Sequence, residues 1–430
     1  MSEQLLVYTH KAAPRVRYIF KHIFTRIWGV AIDFTSEIEA FVAHEGPKLS
    51  YTQKQLGNEL HFGQVDLLFE QGVSDADIKV SDWEGVPCFF GVKGQASALP
   101  YDIFAASFYL LSRYEEYLPH VKDSTGRFPF SESLAGQNDF LEIPVVDEWI
   151  ARLRTVLLDH YPDVSLASTS FKTQVNITVP QAFAYRKIGF LRTVGGYVQD
   201  IFKFRLRDVF DRMRVVLGVR KDPYDIFTWL VNIQKQCDHT FNVLFELGDQ
   251  TSESTNVRYS KASFQSLIKM MGDYCDVGLL ASALSSKENV VLKVEKNRLE
   301  SIVNRPLQIA KFSKNKFTIP QSYRNLLEQE VIQDCSMGYP EELGFRAGTC
   351  RPFLFYDLDY EMQTPLLLMP VSLPLEAVIN TGDKTVNFVA VNTIKERVAN
   401  VQGTLAISCS NKVLAQSHWK SLLKKILEIS

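Results

Sequence analysis

Between Asp334 and Pro370 the chain reads DCSMGYPEELGFRAGTCRPFLFYDLDYEMQTPLLLMP, a block dense in side chains that can recognise a ligand. Tyr339, Phe345, Arg346 and Thr349, with Cys350 beside them, bring aromatic faces, a guanidinium with five donors and a hydroxyl. That combination can grip a sugar by stacking and hydrogen bonds in a pocket wall, and Arg346 is the residue expected to touch it first. The same block also admits a packing role, in which Gly338, Gly344 and Gly348 permit tight turns and Phe353, Phe355 and Tyr356 fill a core. A second set of groups falls at the ends of expected strands: Glu246 and Asp249, Asp334, and Cys409 with Lys412. Cys409 has no histidine near it in sequence to take its proton, so packing and solvated rim charge are the expected roles there. Of the eight histidines, only His239 and His418 lie beyond residue 165. Neither has a second histidine at ligand spacing, and both are expected at the surface or at a helix cap. The six cysteines include no CxxC pair and read as reduced thiols of a cytoplasmic protein, each a small buried hydrophobe.

The elements that must position these groups form two alternating series. In the first, Leu5–Thr9, Val30–Phe34 and Trp83–Val92 read as strands and Pro47–Phe62 as a polar hairpin. Ala13–Trp28, Pro100–Leu118 and Val146–Tyr161 have helical spacing. This is an N-terminal α/β domain over residues 1–165, followed by a polar linker at Pro162–Ser170. Over residues 170–430, strands are expected at Thr173–Val179, Phe241–Leu247, Val277–Ser282, Leu307–Phe312, Leu366–Val371 and Thr404–Ser408. Helices are expected at Lys261–Tyr274, Lys287–Val303, Pro320–Glu330, Val386–Asn400 and His418–Leu427. Repeated strand–helix alternation is the signature of a parallel sheet or a β/α barrel, whose working residues sit at the C-terminal strand ends.

Tyr185–Pro223 interrupts the series as a basic, amphipathic insertion over about residues 186–222. Its arginines, among them Arg205, Arg207, Arg212 and Arg214, suit either an anionic membrane surface or a solvated helical cap, and the helix bearing Arg15, Arg17, Lys21 and Arg26 offers a second basic face. The 430 residues are 46% hydrophobic and 22% charged with a net charge of −2, the balance of a soluble globular chain with no drive towards nucleic acid. The opening residues lack the apolar core of a signal peptide, and the longest apolar run, Pro365–Leu375, is too short to span a bilayer.

AFAYRKIGFLRTVGGY (Ala182–Tyr197), KDPYDIF (Lys221–Phe227), RPLQ with IPQSYRNL (Arg305–Leu326) and the Asp334–Pro370 block resemble the polysaccharide deacetylase (NodB-homology) fold, carbohydrate esterase family 4. DIFAASFYLLSRYEEYLPH (Asp102–His120) is similar to a bacterial branch of that family with an extra N-terminal domain. The resemblance implies an α/β chain, a C-terminal distorted (β/α) barrel of NodB type preceded by a smaller N-terminal α/β domain.

It also implies a chemistry. In that family a divalent metal held by an aspartate and two histidines activates water against an N-acetyl group, a carboxylate acts as base, and a separate histidine protonates the leaving amine. Placed on the resemblance, the two first-strand aspartates become Thr178 and Pro180. The third-strand histidine becomes Leu280, with Leu284 four residues on. An Arg-Gln-His-like trio becomes Lys311, Phe312 and Ser313. An aspartate after the TPLLLMP run becomes Leu375, preceded by Pro374. A Trp-His-Asn-Glu-like motif becomes Cys409, Ser410, Asn411 and Lys412, with Ser410 at the acid position. The expectation is a catalytically inactive deacetylase-like protein without metal or cofactor, binding a glycan precursor or a protein partner in cell-surface polysaccharide metabolism. The alternatives are a hydrolase with a non-standard site through Cys409 or Asp334, and a membrane-surface interaction module.

Overall fold

The computed structural model describes residues 4–92, 96–186, 206–249, 256–378 and 387–428. Its chain divides into two compact units, one of residues 1–172, 337–372 and 387–405, the other of 173–336, 373–386 and 406–430. The first boundary falls close to the expected linker. The expected second domain is not contiguous, because most of the Asp334–Pro370 block and the helix Phe388–Asn400 go with the first unit. Among the described residues no helix is long and apolar enough to cross a membrane.

In the first unit, β1 (Leu5–Tyr8), β2 (Ile32–Thr35), β3 (Lys48–Thr52) and β4 (Leu60–Gly63) form a parallel sheet in the order β2-β1-β3-β4. The chain returns from β1 to β2 through an α-helix, Pro14–Phe20, that continues as a π-helix, Lys21–Ile27. Pro14 suits a first turn, where its missing N–H is not needed. Val16, Ile19, Phe20, Ile23 and Phe24 are fully buried, and Phe20 stacks on Phe104 with ring centres 4.2 Å apart. Phe104 belongs to the helix Ile103–Leu111, every residue of which is buried, as befits a helix apolar all round. Asp102 caps it: its carboxylate accepts the Ala105 N–H at 2.9 Å and also the Tyr51 hydroxyl at 2.6 Å.

Three expectations for this unit are corrected. Pro47–Phe62 is not a hairpin: β3 and β4 run parallel with Leu49 beside Leu60, and the polar residues 53–59 carry the chain back. Both strands are largely buried, as strands within parallel sheets are. Trp83–Val92 is not one strand, because Glu84 and Gly85 both take positive φ and turn Ser81–Trp83 back on Val86–Cys88. The strand expected at Leu366–Val371 is present in part, as the end of Met362–Leu368, which pairs antiparallel with Phe353–Asp357. The expected helix Pro100–Leu118 is likewise split, because Arg113 at φ 56° separates Ile103–Leu111 from Tyr114–Tyr117.

The second unit is built on β5 (Lys172–Val179), β6 (Thr240–Phe245), β7 (Asp276–Ala281), β8 (Ile309–Phe312), β9 (Gln333–Asp334), β10 (Leu373–Pro374) and β11 (Thr404–Ser410). They neighbour one another in the order β9-β8-β7-β6-β5-β11-β10. The pairs β5–β6, β6–β7, β7–β8, β8–β9 and β10–β11 are parallel. Alternate residues divide cleanly between the faces. Val175, Ile177 and Val179 fall on one face with Phe241, Val243 and Phe245, and Phe245 meets Phe227 and Phe264 of two flanking helices. Gln174, Asn176 and Thr178 fall on the other with Asn242.

That polar face is concave. Strands lie about 4.8 Å apart, so in a flat sheet β5 and β9 would stand roughly 19 Å from each other. Yet Gln174 Nε2 lies 3.8 Å from Cys335 Sγ, the residue after β9. The sheet must curl strongly for these side chains to meet. Among the described residues the strand pairing gives a curled, parallel-rich sheet.

Curling brings backbone close to backbone at Gly278, where an added Cβ would sit 2.5 Å from Ile309 O and 2.8 Å from Leu244 Cδ2. Gly278→Ala is expected to cost about 1–3 kcal/mol, read as a lower urea midpoint, because a carbonyl cannot step aside as a side chain can. An unchanged midpoint would contradict the close approach.

Candidate functional site

In the second unit, the positions expected to be vacant lie at or just after strand ends. Thr178 is part-buried, its hydroxyl 3.4 Å from Cys409 O, while its carbonyl accepts the Asn411 N–H at 2.9 Å. Pro180 follows β5 at intermediate burial. Leu280 and Leu375 are buried, and Leu284 is exposed. Ser313 opens a short turn after β8, and Ser410 donates its N–H to Glu376 Oε1 at 3.1 Å.

A divalent metal does not fit this set. Pro180, Leu280 and Leu375 have no side-chain donor, and the remaining donors are neutral hydroxyls, where zinc chemistry asks for carboxylate and imidazole. Among the described residues no group of three or more His, Cys, Asp or Glu could hold a metal ion. His239 bonds the Leu427 carbonyl at 3.3 Å, and His418 is exposed beside Trp419.

Ionisable groups nevertheless gather behind these positions. Lys311 is buried and donates to Cys335 O at 2.9 Å, and burial lowers its ammonium from the usual value against the pull of Asp334 and Glu376. Asp334 is fully buried, and burial pushes its carboxyl up to about 6 although Ser336 donates both N–H and O–H to it. Lys412 is also lowered by burial, opposed by Glu246. Glu376 keeps an exposed surface, so the rise that its crowded surroundings give its carboxyl is screened by water. Asp249 is exposed and paired with Arg298 at 2.8 Å. Cys409 is buried, and burial together with Glu376 raises its thiol well above the ordinary range. It is therefore held as a thiol, not poised as a nucleophile. In sequence Lys311 stood out only as a position of the Arg-Gln-His-like trio and Glu376 not at all, because their approach depends on the fold of the sheet.

The pocket wall expected from the Asp334–Pro370 block lies in the first unit and is filled. Tyr339, Phe345, Arg346 and Thr349 are 5%, 1%, 3% and 0% exposed. Arg346 forks onto Glu116, Nε to Oε1 at 2.9 Å and Nη2 to Oε2 at 2.6 Å. Arg113 bonds the same Glu116 at 2.8 Å and Glu115 at 2.5 Å, and donates to the Arg346 carbonyl. Tyr339 lies under the Arg346 guanidinium at 5.0 Å. Burial alone would raise Glu116, but the two arginines overcome it and hold its carboxyl below the ordinary range. Thr349 donates to Asp147 at 3.0 Å, and the Cys350 N–H joins it at 2.8 Å. The signal missed in sequence was RYEEY, three charges inside an apolar helical stretch, which only internal pairing makes tolerable.

The basic faces are thinned in the same way. Arg15 is 1% exposed and paired with Glu361, and Arg212 is buried over the Tyr185 ring. Arg17, Lys21, Arg26 and Arg214 are exposed. Arg205 lies outside the described residues, as does 187–204 of the expected insertion.

Residues 5–162 match a family of unknown function, DUF7033. No curated protein matches the chain. Among solved structures, a protein assigned as a polysaccharide deacetylase from Mycobacterium smegmatis is similar at 10% identity with a TM-score of 0.39, covering 61% of this chain and 84% of that one. A family 4 carbohydrate esterase pseudoenzyme from Bacillus anthracis is similar at 10% identity and a TM-score of 0.29, covering 61% and 66%. A mutant of such a pseudoenzyme with restored enzymatic activity is similar at 9% identity and a TM-score of 0.30, covering 61% and 68%.

Arg346→Ala is expected to cost about 3–5 kcal/mol, because it leaves Glu115 and Glu116 buried with Arg113 as their one shared cation. Glu116 is depressed in the folded protein, so its contribution is complete above the ordinary carboxylate range and is lost as pH falls through the folded value. Acid unfolding of the variant should therefore begin at higher pH, and an unchanged acid midpoint would contradict the pairing. Asp334 has the opposite sign. Raised from 3.8 to about 6, it makes the folded state bind more protons in that window, so stability falls by up to about 3 kcal/mol as pH rises through it. Asp334→Asn should remove that slope from denaturation curves measured at several pH values. Parallel profiles for the two proteins would show that the carboxyl is not desolvated.

Proposed function

We propose that this chain is a non-catalytic, deacetylase-like protein that binds a glycan precursor or a protein partner in cell-surface polysaccharide metabolism. One observation carries the reading. Thr178, Pro180, Leu280, Leu375 and Ser410 stand at the strand ends where hydrolysis would require metal ligands, base and acid, and none of them ionises near neutral pH. The motifs from Ala182 to Leu326 support the ancestry, and the parallel strand–helix order with its curled polar face supports the scaffold.

Neutral amides suit binding without turnover. Asn176, Asn242 and Asn411 each keep a buried side-chain atom without a partner among the described residues, and neutral donors and acceptors of this kind match sugar hydroxyls or ordered water. A glycan held here would be bound by hydrogen bonds, with no group placed to attack it.

A second reading has its own observation. Lys311 and Asp334 titrate away from their ordinary values behind the strand ends, and perturbed groups of this kind also mark active sites. A hydrolase rebuilt on them would use the buried amine as base.

Acetate release from N-acetylated oligosaccharides with zinc supplied separates the two. Wild type and Lys311→Met are both expected to release none, while oligosaccharide binding registers as a saturable rise in Tm. Wild-type turnover that Lys311→Met abolishes would overturn the non-catalytic reading and establish the second.

A further inference from the structure

The first unit contains a cavity of about 270 Å³ that the proposed function does not use, lined by Tyr18, Lys21, His22, Thr25, Arg26, Leu354 and Gln363. Five of the seven come from one face of the Pro14–Ile27 helical run. Here the backbone is a π-helix, with Trp28 N–H bonded to Ile23 O in place of the usual i−4 acceptor. Such widened turns cost helix stability and recur where side chains are re-aimed for function.

His22 is the unusual member. Its ring is 4% exposed, and neither nitrogen has a hydrogen-bond partner. Leaving one buried polar group unmade costs about 1–3 kcal/mol, so an imidazole with both nitrogens idle marks a group that something else is meant to satisfy. Its surroundings narrow the chemistry. Lys21 and Arg26 stand exposed at the rim, and among the described residues no carboxylate pairs with either. The lining contains two cations and no acid, with Gln363 as a neutral donor, while the Thr25 hydroxyl is spent on Val30 O at 3.0 Å. Arg26 and Arg351 both act on His22 as positive neighbours, and burial together with their charge keeps the ring neutral. A neutral ring offers one N–H and one acceptor nitrogen. Tyr18 is not available to a ligand through its hydroxyl, which donates to Leu354 O at 2.8 Å.

From these observations we infer that the cavity is a binding site for a small oxyanion, a phosphate group foremost. Lys21 and Arg26 neutralise its charge, and the His22 N–H completes its coordination from the buried side. The volume lies just below the roughly 300–1,000 Å³ of drug-sized ligand pockets, enough for a phosphate carried on a group no larger than a monosaccharide. The inference is independent of the proposed function, because no strand-end residue of the second unit takes part in it.

The full chain, labelled with ¹⁵N at histidine, tests it. Titration with inorganic phosphate at constant ionic strength should move the ring nitrogens of one histidine saturably, with a Kd of about 1 mM or tighter. Lys21→Gln and Arg26→Gln lie on the exposed rim and should each weaken binding about tenfold without changing Tm. His22→Gln should abolish the signal and lose the site. Glucuronate and phosphatidic acid vesicles distinguish the source. Response to soluble phosphate assigns a free phosphorylated ligand, and response to the vesicles alone assigns a lipid headgroup. A response to glucuronate alone would assign a carboxylate. No saturable change with any of the three would overturn the site, as would equal binding by wild type and the Lys21→Gln/Arg26→Gln double variant.

Discussion

The contact between Gln174 and Cys335 expresses the constraint on which the second unit depends: its parallel sheet is curled tightly enough for side chains from strands four places apart to touch. Curvature of that order gathers amide side chains on the inner face of the sheet. Gln174 donates to Asn176 Oδ1 at 3.0 Å and Asn242 donates to the same oxygen at 2.8 Å, while Asn176 Nδ2 and Asn242 Oδ1 keep no partner among the described residues. At the C-terminal ends of β5 and β11, Thr178 meets Cys409 and Asn411 across the neighbouring strands. Charge caught behind them is driven towards neutrality, as the opposite shifts of Lys311 and Asp334 show.

The first unit handles buried charge differently. Arg346, Arg113, Glu115 and Glu116 are paired, and Arg15 is closed by Glu361. Pairs of this kind seldom add net stability over apolar packing, but losing one partner is severe. Their conformational consequence is definite: the fork of Arg346 on Glu116 ties the segment after Gly344 to the Tyr114–Tyr117 turn. A block rich in Arg, Tyr and Thr thus serves the core. His22 differs, because neither of its ring nitrogens has a partner among the described residues.

Periodicity carried much of this into the sequence. Strands at β1, β5, β6, β7 and β11 and the helices Val145–His160, Ala262–Gly272 and Asn289–Val303 are each bounded by turn residues and bury alternating or helical faces, so local pattern and burial agree. What sequence hid was partnership. The parallel pairing of β3 with β4 looks locally like a hairpin, since both begin with two strands and a polar connection. The positive φ of Glu84 and Arg113 has no apolar signature at all. Vacant chemistry at Pro180 and Leu280 was legible because residue type alone forbids it. The burial of Arg346 was not, because its acid lies 230 positions earlier.

Strand ends that serve packing and neutral hydrogen bonding, as proposed for the second unit, hold no divalent metal centre. Titrating the full chain with Co²⁺ while recording visible absorption tests it directly, since a protein-bound ion with nitrogen and carboxylate ligands has d–d bands that free aqueous ion does not match. The expected spectrum equals that of the free ion at every ratio. A new band that saturates at one equivalent and disappears in Ser410→Ala or Thr178→Val would contradict it.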